Sequence, residues 1–266
     1  MSSGSIFRWR DGALEELDYC DMADTRVLAA DSWFVGEGRV RGLDLHRSRF
    51  LAGIPASMRG GLAAEAFWEA ALAELPRTGD WFPRVELQLR LHTPLLVFRL
   101  REAPQRTRSV RVATHSGPDP RTKPTVKGPD LERLAAVRTS VQPRGAEEAV
   151  LLSPERYVIE GAYSALAWWR GDELVFPDPA LERVDSVTAR SLHVLATALG
   201  VRVRSEFAHP EELAGHEVWA LSALHGARIV TEWIDGPALA EEGGRLEAWR
   251  RRLDAIARPL PAPPSR

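Results

Sequence analysis

Arg121-Thr-Lys-Pro-Thr-Val-Lys-Gly-Pro-Asp130 contains the only two lysines of the 266-residue chain, Lys123 and Lys127, four positions apart. Every other basic side chain among the 35 Lys plus Arg is an arginine. Taken alone that bias is bland, because arginine replaces lysine on solvated surfaces without penalty. A guanidinium nevertheless stays protonated at ordinary pH and cannot act as an amine nucleophile. A desolvated lysine can lose its proton and form a Schiff base. The stretch is therefore read as the chemical centre, with Lys127 the candidate amine and Lys123 the alternative. It also divides the chain. His115 to Pro124 holds three prolines and a glycine and reads as a linker. Residues 1–114 are expected to form a small α+β domain, 125–257 a larger domain, and 258–266 a disordered Pro-rich tail.

Working outward from the linker, both halves show mixed periodicity. On its N-terminal side, Ile6–Gly12 reads as a strand closed by Asp-Gly, and Val27–Val40 as a hairpin turning at Gly36-Glu-Gly38. Apolar residues at helical spacing predict helices over Gly42–Ala56 and Ala63–Leu75. Arg84–Arg101 alternates strongly and breaks at Thr93-Pro94, which predicts a second hairpin. Val110–Thr114 adds a short strand. Past the linker, Leu131–Gln142 reads as a helix with Asp130 as its N-cap. Strands are expected over 148–153, 157–159, 165–169, 173–176, 201–207, 217–221 and 229–234, and helices over 186–199, 210–214 and 246–257. No βαβ rhythm, Gly-x-Gly-x-x-Gly or phosphate-loop motif occurs, and the chain shows no internal repeat.

Composition narrows the functional classes. With 44% apolar and 27% charged residues and a formal net charge of −2, the chain has the make-up of an ordinary globular protein and no basic footprint for nucleic acid. No stretch approaches the roughly 20 apolar residues of a membrane span, and Met1–Ser5 reads as a disordered leader without signal-peptide character. The single Cys20 excludes an intramolecular disulfide and suits a reducing cytoplasm. The scattered histidines suggest no metal site. Trp168, Trp169 and Trp219 fall within strands and read as core or subunit-interface aromatics.

Further features follow Lys127 in a fixed order. Val158-Ile-Glu-Gly161 ends a strand, with Glu160 33 positions after Lys127 (127 to 160). Asp185-Ser-Val-Thr-Ala-Arg190 opens a helix, and Ala220-Leu-Ser-Ala-Leu-His-Gly226 precedes a strand. Together with Leu43-Asp-Leu-His-Arg-Ser-Arg-Phe50, this series resembles the class IV aminotransferases, which include branched-chain and D-amino acid aminotransferases and aminodeoxychorismate lyase. The resemblance runs from about residue 26 to 236.

It implies the two-domain class IV fold (α+β / α/β, D-amino acid aminotransferase-like) and pyridoxal 5′-phosphate (PLP) as cofactor. By match to the family, Lys127 would form the Schiff base and shuttle the proton at the substrate's Cα, and Glu160 would hold the pyridine nitrogen. Arg49, Ser186, Val187, Thr188 and Ser222 would anchor the phosphate, a group that favours helix N-termini, hydroxyls and an arginine fork. His46 reads as structural. Arg84, Arg90 and Arg228 are candidates for the substrate carboxylate. The implied reaction is transamination between an amino acid and a 2-oxo acid, in a cytoplasmic homodimer. The alternatives are a lyase giving 4-aminobenzoate and pyruvate, and a non-catalytic descendant that acts as a binding protein. This chain departs from the family pattern at Ala165, where Asn is usual, at Ala189, where Arg is usual, at Ser186 in place of Gly, and at Ser32 in place of Thr.

Overall fold

The computed structural model describes residues 4–17 and 25–262. The expectations for residues 1–3, for Cys20 and for the last four residues fall outside them. The chain folds as two compact units. One gathers Met1–Gln105, Val126–Pro129 and Ile256–Arg266, and the other gathers Arg106–Thr125 and Asp130–Ala255.

In the first unit, β1 (Ser5–Arg10) and β2 (Ala13–Glu16) form a hairpin around Asp11-Gly12, a pair whose φ angles are both positive (50° and 84°), as this tight turn requires. β3 (Thr25–Ser32) is followed by the two-residue strands β4 (Val35–Gly36) and β5 (Arg39–Val40), and by helices α1 (Leu43–Gly53), α2 (Ala56–Arg59) and α3 (Ala64–Ala73). β6 (Asp80–Trp81), β7 (Arg84–Arg90) and β8 (Thr93–Leu100) complete it, and the main sheet runs β2-β1-β8-β7-β3.

The hairpin expected over Val27–Val40 is corrected. Only β4 and β5 turn on themselves, while β3 pairs antiparallel with β7. The break expected at Thr93-Pro94 lies two residues earlier, at Leu91-His92, where φ is 45° and 72°. Pro94 sits within β8 opposite Leu89, and β1 reaches only Val97–Leu100. At Pro94 the strand is thus locally an edge, where a missing N–H costs nothing. The core is aromatic: Trp33, Phe50, Phe67, Trp68 and Phe98 are each at most 1% exposed. The Trp33 and Trp68 rings lie 4.8 Å apart.

In the second unit, β9 (Ser109–Thr114) precedes α4 (Leu131–Val141), β10 (Glu148–Leu152), β11 (Val158–Gly161), β12 (Ala165–Arg170) and β13 (Glu173–Pro177). Then come α5 (Val187–Ala198), β14 (Val203–Glu206), β15 (Glu217–Ser222), β16 (Gly226–Ile234) and α6 (Arg245–Ala255). These strands make one eight-stranded mixed sheet, β11-β10-β9-β16-β15-β12-β13-β14. It curls so that β11 also approaches β12.

The inner face buries Val110, Val112, Val150, Val158, Leu166, Trp168, Val218 and Val230. The outer face packs Trp169 and Trp219 against Trp249 of α6, with ring centroids 5.5 and 6.3 Å away. The tryptophans at 168, 169 and 219 are therefore core residues, as alternation along β12 and β15 predicts. Arg245 covers Trp169 at 4.6 Å from the ring centroid, a cation–π contact.

Two local expectations are corrected. Asp130 does not cap α4 through its side chain. Its carboxylate instead accepts from Thr122 N–H (3.0 Å), Thr122 Oγ1–H (2.7 Å) and Lys123 N–H (2.8 Å). Three donors from the Pro-rich stretch outcompete one helix N–H, and they pull that stretch into the fold. At the C-terminus, Arg258–Pro259 forms β17 against β5, and Leu260 is 6% exposed. Strand pairing and one apolar side chain with a place in the core thus order residues 258–260 of a tail whose composition reads as disordered.

Candidate active site

In the first unit, Ala30 N–H donates to the Lys127 carbonyl at 2.7 Å, so the Lys127 segment is fixed to the backbone of β3. The fixing depends on Gly128. Its φ is +136°, and a Cβ there would meet Ala29 Cα, Ala29 C and Ala30 N at 2.8 Å. No other residue allows so close an approach of two backbones. The next residue of β3, Asp31, is fully buried and takes Arg49 on both carboxylate oxygens, from Nε at 2.7 Å and Nη2 at 2.8 Å. His46, one turn before Arg49 on α1, places Nδ1 2.8 Å from Asp31 Oδ1. Burial works to raise the Asp31 carboxyl, but the charges and hydrogen bonds of Arg49 and His46 hold it well below the usual range. Burial pushes His46 down, despite Asp31 beside it, so the ring is neutral and its Nδ1–H donates. Lys127 and Arg49, read separately from the sequence, are thus attached to consecutive residues of one strand.

In the second unit, Glu160 lies on β11, 7% exposed. Its Oε1 accepts from Arg121 Nη1. Arg121 is itself 2% exposed in its side chain. It forks onto Asp119, with Nε 2.9 Å from Oδ1 and Nη2 2.6 Å from Oδ2, and also reaches the Glu182 carbonyl at 3.1 Å. Burial opposes the charged guanidinium, but the bonds to Asp119 and the charge of Glu160 raise its pKa overall.

From Glu182 the chain runs along a cleft of about 530 Å3, lined in part by Thr125, Ala165, Arg183, Ser186, Ala189 and Arg190. Ser186 is the N-cap of α5, its Oγ accepting Ala189 N–H at 3.2 Å. Val187 and Thr188 form the buried first turn, where the helix dipole favours an anion. Arg183 spends Nη1 and Nη2 on the carbonyls of Asp178, Leu181 and Pro177, which locks this wall. Ser222 Oγ accepts His225 N–H at 3.2 Å and closes the β15–β16 turn. Lys123, the alternative lysine, has its backbone N–H on Asp130.

The sequence pattern of the family described as amino-transferase class IV matches residues 29–233. The chain belongs to that family. Its fold is that of solved class IV enzymes. A branched-chain aminotransferase from the archaeon Thermoproteus uzoniensis, with norvaline, superposes at a TM-score of 0.80 with 17% identity, over 97% of this chain and 100% of that one. A PLP-bound hypothetical aminotransferase from Mycobacterium tuberculosis gives 0.75 at 19% identity, over 96% and 98%. A fold IV transaminase from Curtobacterium pusillum gives 0.72 at 16%, over 95% and 97%. At such identities the likeness is one of fold. Comparison with curated proteins gives no match.

As a class IV member, the chain holds residues near these positions that sequence reasoning passes over. By sequence Arg121 and Asp119 are no more than linker residues, yet Arg121 is the partner of Glu160. The available signal is a charged pair bracketing Pro120 in a stretch too short to need solubilising charges. Asp31 stands out in sequence only as a neighbour of Ser32, in Ala30-Asp-Ser-Trp33. The structure makes it the residue that orients Arg49. Where the family usually has Asn, Ala165 lines the cleft, and Ser164 one residue earlier gives its hydroxyl to Glu148 (3.1 Å). Arg190, one place after Ala189, also lines the cleft and pairs with Asp185 at 3.0 Å.

Proposed function

We propose that this class IV aminotransferase uses PLP to move an amino group between an amino acid and a 2-oxo acid, as a cytoplasmic homodimer. The observation that carries the reading is the seating of Lys127 through Gly128 on β3. It spends a left-handed glycine and a backbone hydrogen bond on placing the segment of a scarce residue type.

The donor set fits the cofactor. PLP presents an aldehyde, a basic ring nitrogen and a phosphate, and the chain offers an amine, a buried carboxylate braced by Arg121, and a capped helix N-terminus with arginines in the cleft wall. When bound, the group supplies an electron sink for negative charge at the substrate's Cα. Lys127 Nζ would hold the group and move the proton at Cα. Glu160, kept in place by Arg121, would keep a proton on the ring nitrogen. Ser186, the backbone of Val187 and Thr188, and Ser222 would bind the phosphate, and Arg49, oriented by Asp31, would add charge to it.

The test combines a spectrum with a chemical trap. PLP added to the purified protein should give a visible absorption band that borohydride abolishes, leaving a mass label on the peptide carrying Lys127. Amino exchange between amino acids and 2-oxo acids should disappear in Lys127→Ala. A label on Lys123, or no band at all, would defeat the reading.

A further inference from the structure

The loop that carries both lysines is closed at its neck by one buried carboxylate. Asp130 is 4% exposed. Its Oδ2 accepts from Thr122 N–H at 3.0 Å and from Lys123 N–H at 2.8 Å, and its Oδ1 accepts from Thr122 Oγ1–H at 2.7 Å. Burial works to raise this carboxyl, but the bonds from Lys123 and Thr122, with the charge of Arg133, hold it below its usual range. Hydrogen bonds to an ionised acceptor are about twice as strong as neutral ones. Three of them on one anion make a firm closure.

The closure also has a rigid base. The Asp130 carbonyl accepts Leu134 N–H at 2.9 Å as α4 begins. Arg133, in the first turn of that helix, donates from Nη1 to the Pro120 carbonyl at 3.1 Å, a second tie across the neck. Pro124 and Pro129 stand just inside it, each with φ fixed by its ring. The chain leaves the second unit after Thr125 and returns to it at Asp130, so both sides of the neck belong to that unit.

The two lysines hold different places in this loop. Lys123 is part of the neck, exposed, with its backbone tied to Asp130. Lys127 lies further round, half-buried, with its carbonyl held by Ala30 N–H at 2.7 Å. Four residues of extended chain span at most about 14 Å. A loop released at its neck therefore has slack enough to carry one amine toward the place of the other.

We propose that Asp130 is the positioning residue that selects Lys127 over Lys123 as the reactive amine. It acts through the backbone: by closing on Thr122 and Lys123 it keeps Lys123 at the neck and fixes the length of chain on which Lys127 is presented. The inference rests on the transaminase reading above and adds to it the device that tells two chemically identical amines apart. Placement counts heavily in such chemistry, where a shift of about 1 Å can cost about 100-fold in rate.

The experiment treats full-length protein with equimolar PLP, traps the product with borohydride, and measures by peptide mass the ratio of label at Lys123 to label at Lys127. The melting midpoint of each variant is recorded alongside. In Asp130→Ala the ratio should rise about 10-fold or more, the worth of even one lost bond to a charged group. Thr122→Val, which removes only the hydroxyl bond, should raise it less. Asp130→Asn should recover most of the selectivity, because its amide carbonyl can accept the two N–H groups while its NH2 donates to Thr122 Oγ1. A carboxylate that served stability alone would lower the melting midpoint and leave the ratio where it was. An unchanged ratio in a folded Asp130→Ala therefore overturns the proposal. If that variant does not fold, an unchanged ratio in Thr122→Val overturns it equally. Wild type labelled chiefly on Lys123, or on neither lysine, would instead refute the transaminase reading.

Discussion

Replacing Asp31 by asparagine isolates what the buried carboxylate does. The side chain keeps its shape, so packing is conserved, but two charge-assisted bonds from Arg49 at 2.7 and 2.8 Å and one from His46 at 2.8 Å lose their anion. The asparagine NH2 would also face a guanidinium, donor against donor. Arg49 is 13% exposed in its side chain, so water recovers little of the loss. Removing one partner of a buried pair costs about 3–5 kcal/mol. For a chain of this size that corresponds to a fall of about 6–20 °C in the melting midpoint.

Asp31 titrates below its usual value in the folded state. Its contribution is therefore fully present above the unfolded pKa of about 4 and is lost as pH falls through the folded one. Urea unfolding of wild type and Asp31→Asn, followed by circular dichroism, should show the full gap at pH 7 and a narrowing gap below pH 4. A gap under about 1 kcal/mol at pH 7, or one that widens on acidification, would show that Arg49 and His46 do not depend on the charge.

Other substitutions test the remaining contacts. Gly128→Ala should lose about 1–3 kcal/mol from backbone strain alone, with a further loss from the 2.8 Å overlap with β3, and calorimetry together with PLP titration should show stability and cofactor uptake falling together. Arg121→Met leaves Asp119 and Glu160 without their common partner. It should lower stability by about 3–5 kcal/mol and weaken PLP binding, whereas a melting midpoint within 2 °C of wild type would mean that the pair is dispensable. Ser186→Ala removes the α5 cap and should cost about 1 kcal/mol, readable as a drop of about 2–4 °C in the same melt.

Much of the molecule is legible in sequence because it is periodic or local. Alternation along β7 and β12 and helical spacing in α3 and α5 place the elements to within a residue or two, while α1 stops at Gly53, three residues before the expected Ala56. The Ser186 cap is a short-range pattern that needs no tertiary knowledge. The scarcity of lysine singles out the Lys127 segment. Partners are what sequence withholds. Glu160 reads as a carboxylate facing the cofactor, but its bond to Arg121, 39 residues away, is set by the curl of the sheet. Asp31 serves Arg49 because α1 packs on β3, which spacing does not encode. Asp130 looks like a cap because helix starts favour aspartate, but three closer donors claim it. Leu260 is hidden in a composition that averages out one decisive side chain.

The Val126–Pro129 segment has a consequence for engineering. Four residues bearing Lys127 belong to the first unit, while the chain on either side belongs to the second. The two units are therefore not separable by a single cut. A chimaera of two relatives joined at Gln105/Arg106 would set one parent's β3 against the other parent's lysine segment, and the fit of Gly128 to Ala29 and Ala30 would become a matter of luck. Such exchanges of parts have to carry residues 126–129 with the N-terminal piece, grafted as an island. The grammar of recombination in this protein is discontinuous, and Lys127 travels with the strand its backbone rests on.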